Sequence, residues 1–190
     1  MPPGAFVVET ERLHLREFDE SDWSAFRAVS VDPEAERVWG EPVSEAFLRR
    51  AFQDAITTQR TPDRHIYALA AVLKETDRLA GYVDFSFSPG ASEAEFSIML
   101  GGAHRGLGLG PEVCRAMIGF GFGTLGMLRV FASVDAANIA SRRMLEKGGM
   151  RLEREWRRPA DTPPDSAWPW GCVYVIRRED WRPGGRALDS

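Results

Sequence analysis

Residues 98–112 read IMLGGAHRGLGLGPE, and the type of protein turns on that stretch. An apolar end of a strand runs into a glycine-dense loop. The loop runs into a helix whose first turn accommodates Pro111, since a first-turn N–H needs no partner. Gly106, Gly108 and Gly110 remove side chains where free backbone N–H groups precede that helix. Such a place binds a pyrophosphate through unpaired donors and the positive end of the helix dipole. Arg105 adds a full positive charge. A Rossmann fingerprint needs a third glycine at the position that Pro111 holds, and it needs a parallel βαβ unit. A Walker loop needs Gly-Lys-Ser/Thr, which the chain lacks. The plain alternative is a glycine-rich turn with no ligand.

Upstream of the loop the pattern is antiparallel. Residues 93–100 read as a strand, preceded by the Pro89-Gly90 turn, a strand at 79–88, a polar turn at 75–78 and a strongly apolar strand at 65–74. Further back, residues 11–17 alternate apolar and polar, placing Leu13 and Leu15 on one face. Asp19 or Ser21 can cap a helix carrying Trp23, Phe26 and Val29, which Asp32-Pro33 breaks. Ser44 opens a second helix with Phe47, Leu48, Ala51, Phe52 and Ile56 at helical spacing. Downstream, residues 128–134 form a strand and 136–147 a helix with Ile139, Ala140, Met144 and Leu145 inward. Gly148-Gly149 ends that helix as a C-cap, and residues 150–157 and 172–178 are the last strands. Gly119, Gly121 and Gly123 fall inside the helix after the loop, so that helix either packs closely or ends early. The order β-α-α-β-β-β-α-β-α-β-β is an α+β chain around one sheet.

Composition narrows the class. In 190 residues, 44% hydrophobic and 27% charged are ordinary values for a folded soluble protein. The longest apolar run, residues 66–73, is far short of a membrane span, and the first residues lack the basic flank and apolar stretch of a signal peptide. The expected location is the cytoplasm, with no membrane partner. A net charge of −4 argues against nucleic acid and is compatible with a cationic substrate. Cys114 and Cys172 lack metal-ligand spacing and read as core filler, so no metal is expected.

The segment from Arg105 to Gly110 is similar to the Arg/Gln-x-x-Gly-x-Gly/Ala signature of the GNAT N-acetyltransferase superfamily. Residues 10–17 (TERLHLRE), 79–86 (LAGYVDFS), 94–100 (AEFSIML), 132–150 (ASVDAANIASRRMLEKGGM) and 173–181 (VYVIRREDW) resemble successive segments of its RimJ/RimL branch, the ribosomal-protein N-terminal acetyltransferases and their relatives. The likeness spans residues 9–182 as one domain, leaving 183–190 as a loose tail. It implies a mixed central sheet of six to seven strands flanked by about four helices and splayed between its fourth and fifth strands, here 93–100 and 128–134.

The resemblance implies an acetyl-CoA-dependent enzyme in which an amine attacks the acetyl thioester directly within a ternary complex. Arg105, Gly106, Leu107, Gly108, Leu109 and Gly110 would hold the pyrophosphate. The backbone of Ile98, Met99 and Leu100 would bond the pantetheine arm as an added strand, with an N–H for the thioester oxyanion. Asn138 would bond the same arm, or simply cap its helix. Ser141 stands where the family carries a general acid for the departing thiolate. Arg142 or Arg143 would approach the adenosine phosphates. Glu95 is the first candidate base and Asp84 the second, both lending negative potential to the acceptor side; His14, His65 and His104 are rivals by ordinary pKa. Trp168 or Trp170 would line the acceptor pocket, or else pin their hairpin to the sheet. The acceptor implied is a peptide or protein N-terminal α-amine, with a small-molecule amine or a non-catalytic acyl-CoA-binding module as alternatives. A homodimer is an open option, as dimers are common in that branch. The sequence departs from the branch twice: Pro111 replaces a Thr, losing a hydroxyl bond to phosphate, and Trp168-Pro169-Trp170-Gly171 replaces the usual Gly-x-x-x-Asp-x-x-x-Tyr segment.

Overall fold

Strand and helix periods resolve into one mixed sheet with helices on both faces in a computed structural model that describes residues 7–31, 43–157 and 170–182. The strands are β1 (Val7–Glu9), β2 (Leu13–Glu17), β3 (Ile66–Leu73), β4 (Leu79–Ser86), β5 (Glu93–Leu100), β6 (Arg129–Asp135), β7 (Arg151–Arg157) and β8 (Trp170–Arg177). Their order across the sheet is β1-β2-β3-β4-β5-β6-β8-β7. The eighth strand exceeds the expected six to seven. It is β1, three residues long, which pairs antiparallel with β2 around a turn closed by Thr10 Oγ1 and the backbone of Leu13. Three residues show too little alternation to mark a strand; the turn's hydrogen bonds make it one.

The helices are α1 (Trp23–Ser30), α2 (Glu45–Thr58), α3 (Leu109–Gly123) and α4 (Ile139–Lys147). Asp19 caps the short 3₁₀ turn Glu20–Asp22 ahead of α1, and the Ser44 hydroxyl accepts from Phe47 N at 3.2 Å to start α2. Asp32 and Pro33, expected to break α1, lie outside the described residues. Phe26, Val29, Leu48, Phe52 and Ile56 pack with Ala70, Val72, Tyr82 and Met99 on one face of the sheet. Val113, Met117, Ile118, Phe122 and Leu145 pack with Leu69, Phe85, Phe96, Val130 and Tyr174 on the other. α1 and α2 therefore cover one face, α3 and α4 the opposite one.

Gly119 and Gly121 do not end α3, which runs on to Gly123. At Gly121 an added Cβ would stand 2.6 Å from Phe85 Cζ and 3.1 Å from Val130 Cγ2, so close packing against the sheet is the reason for its missing side chain. Two inward assignments in α4 are corrected. Ile139 is 50% exposed and Ala140 is exposed, because the helix begins only at Ile139 and, among the described residues, both stand outside the core; Leu145 carries the contact with the core. Cys114 and Cys172 are buried free thiols, and burial pushes Cys114 up to about 12.

Candidate functional site

β5 and β6 run parallel but pair over only three positions, Glu93↔Arg129, Ala94↔Val130 and Glu95↔Phe131. Beyond Glu95 the strands part. The gap opens a cleft of about 730 Å³ whose walls include Ile98, Met99 and Leu100 from β5, Ser133 and Asp135 from β6, and Asn138, Ser141, Arg143 and Met144 around the start of α4. Arg105, Gly106, Gly108, Gly110 and Pro111 close one end.

The loop at that end has an unusual backbone. Gly106 (φ +74°) and Gly108 (φ +79°) are both left-handed, a region that favours glycine. Gly108 is the N-cap of α3 and brings no side-chain cap. Among the described residues, the N–H groups of Gly106, Leu107 and Gly108 donate no hydrogen bond, and those of Leu109 and Gly110 belong to the first helical turn, where no partner lies within the helix. Gly110 has a second reason to be glycine: an added Cβ would lie 2.7 Å from Met144 Cγ, so it lets α3 and α4 approach. Arg105 donates from Nε to the Leu100 carbonyl at 2.9 Å, tying the loop to the end of β5. The Leu107 side chain is 58% exposed and that of Leu109 is buried in the core, so neither lines the cleft and only their backbone is offered to it.

At the other wall, Asn138 Oδ1 accepts from Ser141 N at 3.0 Å and so caps α4. That bond engages the oxygen alone; the Asn138 NH₂ group donates to no acceptor among the described residues. Capping and ligand binding are therefore compatible in one side chain. Ser141 is half-buried, in the first turn of α4, and faces the cleft. The two arginines that follow separate. Arg143 lines the cleft, whereas Arg142 turns away, donating to Tyr174 Oη at 3.1 Å, to the Ala136 carbonyl at 3.2 Å and to Glu155 at 2.9 Å. Of the pair, only Arg143 lines the cleft.

Three of the expected acceptor-side residues stand apart from the cleft wall. Glu95 is half-buried at the last paired position before the strands part, on the sheet face that bears α1 and α2. Asp84 pairs with Ser97 across β4 and β5 on the same face. Burial pushes the Asp84 carboxyl up to about 6, against a lowering hydrogen bond from Ser97. Ser97 itself lines the cleft, although no motif or spacing marks it out. Trp170 opens β8 and packs against the core, with the Arg157 guanidinium 4.8 Å from its ring centroid, while its carbonyl accepts from Ala136 N at 3.0 Å. Those contacts are the ones a structural pin makes. Trp168 lies outside the described residues. Among the histidines, His14 bonds the exposed Glu9 at 2.7 Å, and neither it, His65 nor His104 lines the cleft.

A group of residues that sequence reading did not connect lies just behind the loop. Glu112 in the first turn of α3 accepts from Thr10 Oγ1 at 2.6 Å, from Arg12 N at 2.8 Å and from Arg12 Nε at 2.7 Å. The same guanidinium donates to the Leu107 carbonyl at 2.8 Å. Partial burial pushes the Glu112 carboxyl up, but these donors outweigh it and hold it below the usual carboxylate range.

A parted pair of parallel strands, with a left-handed glycine loop and a helix start at its mouth, suits a long donor with an anionic head. Relatives agree. The Acetyltransferase (GNAT) domain profile matches residues 12–151. An uncharacterized N-acetyltransferase, YnaD of Bacillus subtilis, is 26% identical over 179 residues, which is 92% of this chain and 98% of that protein. The crystal structure of a GNAT-family acetyltransferase from Bacillus anthracis superposes with a TM-score of 0.78 at 22% identity, covering 92% of this chain and 99% of that one. RimJ of Mycobacterium smegmatis, solved in complex with CoA-disulfide, does so with a TM-score of 0.73 at 19% identity, covering 95% and 91%. The matched residues 12–151 run from Arg12 to the first residue of β7 and so take in the whole of the cleft, and with it the chain belongs to the GNAT family of acetyltransferases.

Proposed function

We propose that this acetyltransferase moves the acetyl group of acetyl-CoA to the N-terminal α-amine of a peptide or protein. The observation that carries the donor half is the loop at the mouth of the cleft, with backbone donors at Gly106, Leu107 and Gly108 beside the start of α3. These residues fit a diphosphate without the branch's threonine, because backbone N–H groups supply what the Pro111 side chain cannot. Ile98, Met99 and Leu100 would hold the pantetheine arm along the unpaired edge of β5, with Asn138 opposite and Arg143 toward the adenosine phosphates. Acetyl-CoA, when bound, supplies an activated acetyl thioester.

The chain's own residues then have two proton tasks. An attacking amine must be neutral, and an α-amine, with an ordinary pKa of about 7.7–8.0, sheds its proton near neutral pH far more readily than a lysine-like amine at about 10.4. Glu95, at the fork of β5 and β6 on the helix-covered face, takes that proton, and Asp84 behind it keeps the approach negative. On the leaving side, Ser141 gives a hydrogen bond or proton to the departing sulfur, within the positive field at the start of α4. The likeness in fold to ribosomal-protein acetyltransferases of Vibrio cholerae and Vibrio fischeri supports a protein acceptor, and that to a spermidine N-acetyltransferase keeps small amines among those to be tested.

Two measurements test this. Thiol release is followed with free and N-blocked peptides, spermidine, amino acids and aminoglycosides. Turnover with peptides only when their α-amine is free is the expected result. Turnover confined to small amines would move the acceptor to that class, and no thiol release with any amine would leave an acyl-CoA-binding module. Ser141→Ala should lower kcat about a hundredfold while the KM for acetyl-CoA changes little, because general acid catalysis acts only in the transition state. Equal losses in kcat and binding would make Ser141 a positioning residue.

A further inference from the structure

We propose that Arg12 is a positioning residue for the diphosphate-binding loop, acting through Glu112 and the Leu107 carbonyl. Two physical problems meet at this place, and the guanidinium answers both.

The first is charge. Glu112 sits in the first turn of α3, the end of the helix that must attract an anion. Its side chain is only 10% exposed, so an unpaired carboxylate there would oppose any diphosphate at the loop. Arg12 neutralises it through Nε and Nη2, both 2.7 Å from Oε2, while Thr10 Oγ1 and Arg12 N occupy Oε1. The carboxylate is thereby turned toward the β1–β2 turn with its acceptors engaged.

The second is backbone direction. Leu107 lies between the two left-handed glycines. Its carbonyl accepts from Arg12 Nη1 at 2.8 Å. In a planar trans peptide the carbonyl of one residue and the N–H of the next point to opposite sides. Holding the Leu107 oxygen toward Arg12 therefore holds the Gly108 N–H away from it. Gly108 lines the cleft, and glycine on both sides of Leu107 would let this peptide flip if nothing pinned it. The anchor is itself fixed: Lys74 N donates to the Arg12 carbonyl at 3.0 Å and Lys74 Nζ to the Thr10 carbonyl at 2.6 Å. A residue almost a hundred positions upstream in sequence thus sets the geometry of the loop.

This inference rests on the loop being the diphosphate site, and the experiment separates the two. Calorimetry with coenzyme A is run on the wild-type protein, Arg12→Ala, Arg12→Lys and the double variant Arg12→Ala/Glu112→Gln, with the unliganded melting temperature recorded for each. Absence of binding by the wild type would sink the donor-site reading itself. With the wild type binding, Arg12→Ala should weaken coenzyme A by about ten- to a hundredfold, the usual worth of hydrogen bonds to charged groups. Arg12→Lys should recover only part of that, since an ammonium cannot bridge carboxylate and carbonyl as a fork does. The double variant should bind more tightly than Arg12→Ala, because it removes the carboxylate left unpaired. A merely structural pin gives no such recovery. Unchanged affinity in Arg12→Ala, or a double variant no tighter than the single one, would overturn the proposal.

Discussion

Asp84 shows how a single residue's surroundings set its chemistry. It carries no cation partner among the described residues, and burial among β3, β4 and β5 raises its carboxyl from 3.8 to about 6. The native state therefore binds this proton more tightly than the unfolded chain. Between those two pH values stability falls as pH rises, and above about 6 the full cost of the ionised carboxylate is present. One pKa unit is about 1.4 kcal/mol, so the ceiling is near 3 kcal/mol. Asp84→Asn should thus melt ~5 °C or more above the wild type at pH 7.5 and close to it at pH 4. Thermal denaturation at the two pH values checks this; an equal shift at both would show that the carboxylate's ionisation costs the fold nothing. On the proposed reading, in which Asp84 lends negative potential to an incoming amine, the charge that helps the acceptor side is the one that lowers stability at neutral pH.

At the scale of elements, α3 sets two opposing effects of glycine against each other. Gly119 sits mid-helix with an added Cβ 3.6 Å from Trp181 Cζ2, an ordinary contact. Gly119→Ala should stabilise the protein by about 0.5–1 kcal/mol through helix propensity alone. Gly121, two residues on, would drive its Cβ to 2.6 Å from Phe85 Cζ, deep in the core. There overpacking of about 1–3 kcal/mol exceeds the propensity gain, and Gly121→Ala should destabilise. Urea denaturation of both variants reads the signs directly, and like signs would refute the packing account of α3. The sequence allowed either close packing or an early helix end at these glycines, because a helix pattern carries no information about what faces it. The same limit explains the other gaps. The meander, the loop and the α4 cap were legible, since each rests on residues adjacent in the chain: alternation in β4 and β5, glycines 106–110, Asn138 beside Ser141. Arg12 and Glu112 meet across a hundred residues, and the turn of Arg142 toward Tyr174 crosses from α4 to β8; no local pattern encodes either. β1 escaped notice because three residues show no period.

For the molecule as a whole, the weak seam is the one the site occupies. β1 to β5 form one continuous antiparallel run and β6, β8 and β7 another, and among the described residues these runs pair over three parallel positions, beside which Leu128 N and Arg129 N donate to the Ser92 carbonyl and Arg129 pairs with Glu93. α3 adds a further tie, packing on β5 and β6 together. A ligand that lies along the β5 edge and reaches Asn138 and Arg143 on the far wall would bridge the two halves as well as fill the cleft. Binding to the native state alone stabilises by about 2.7 kcal/mol at a hundred times the dissociation constant. For a chain of 190 residues that corresponds to a rise of roughly 5–10 °C in melting temperature. Coenzyme A should give that rise, and amide exchange should slow on both sides of the seam, in β5 and in β6, and not only at the loop. Gly108→Asp should abolish both effects, because a carboxylate at the N-cap of α3 opposes the diphosphate. Protection confined to residues 105–112 would mean that the ligand is held by its phosphates alone and that the parted strands do not grip the arm.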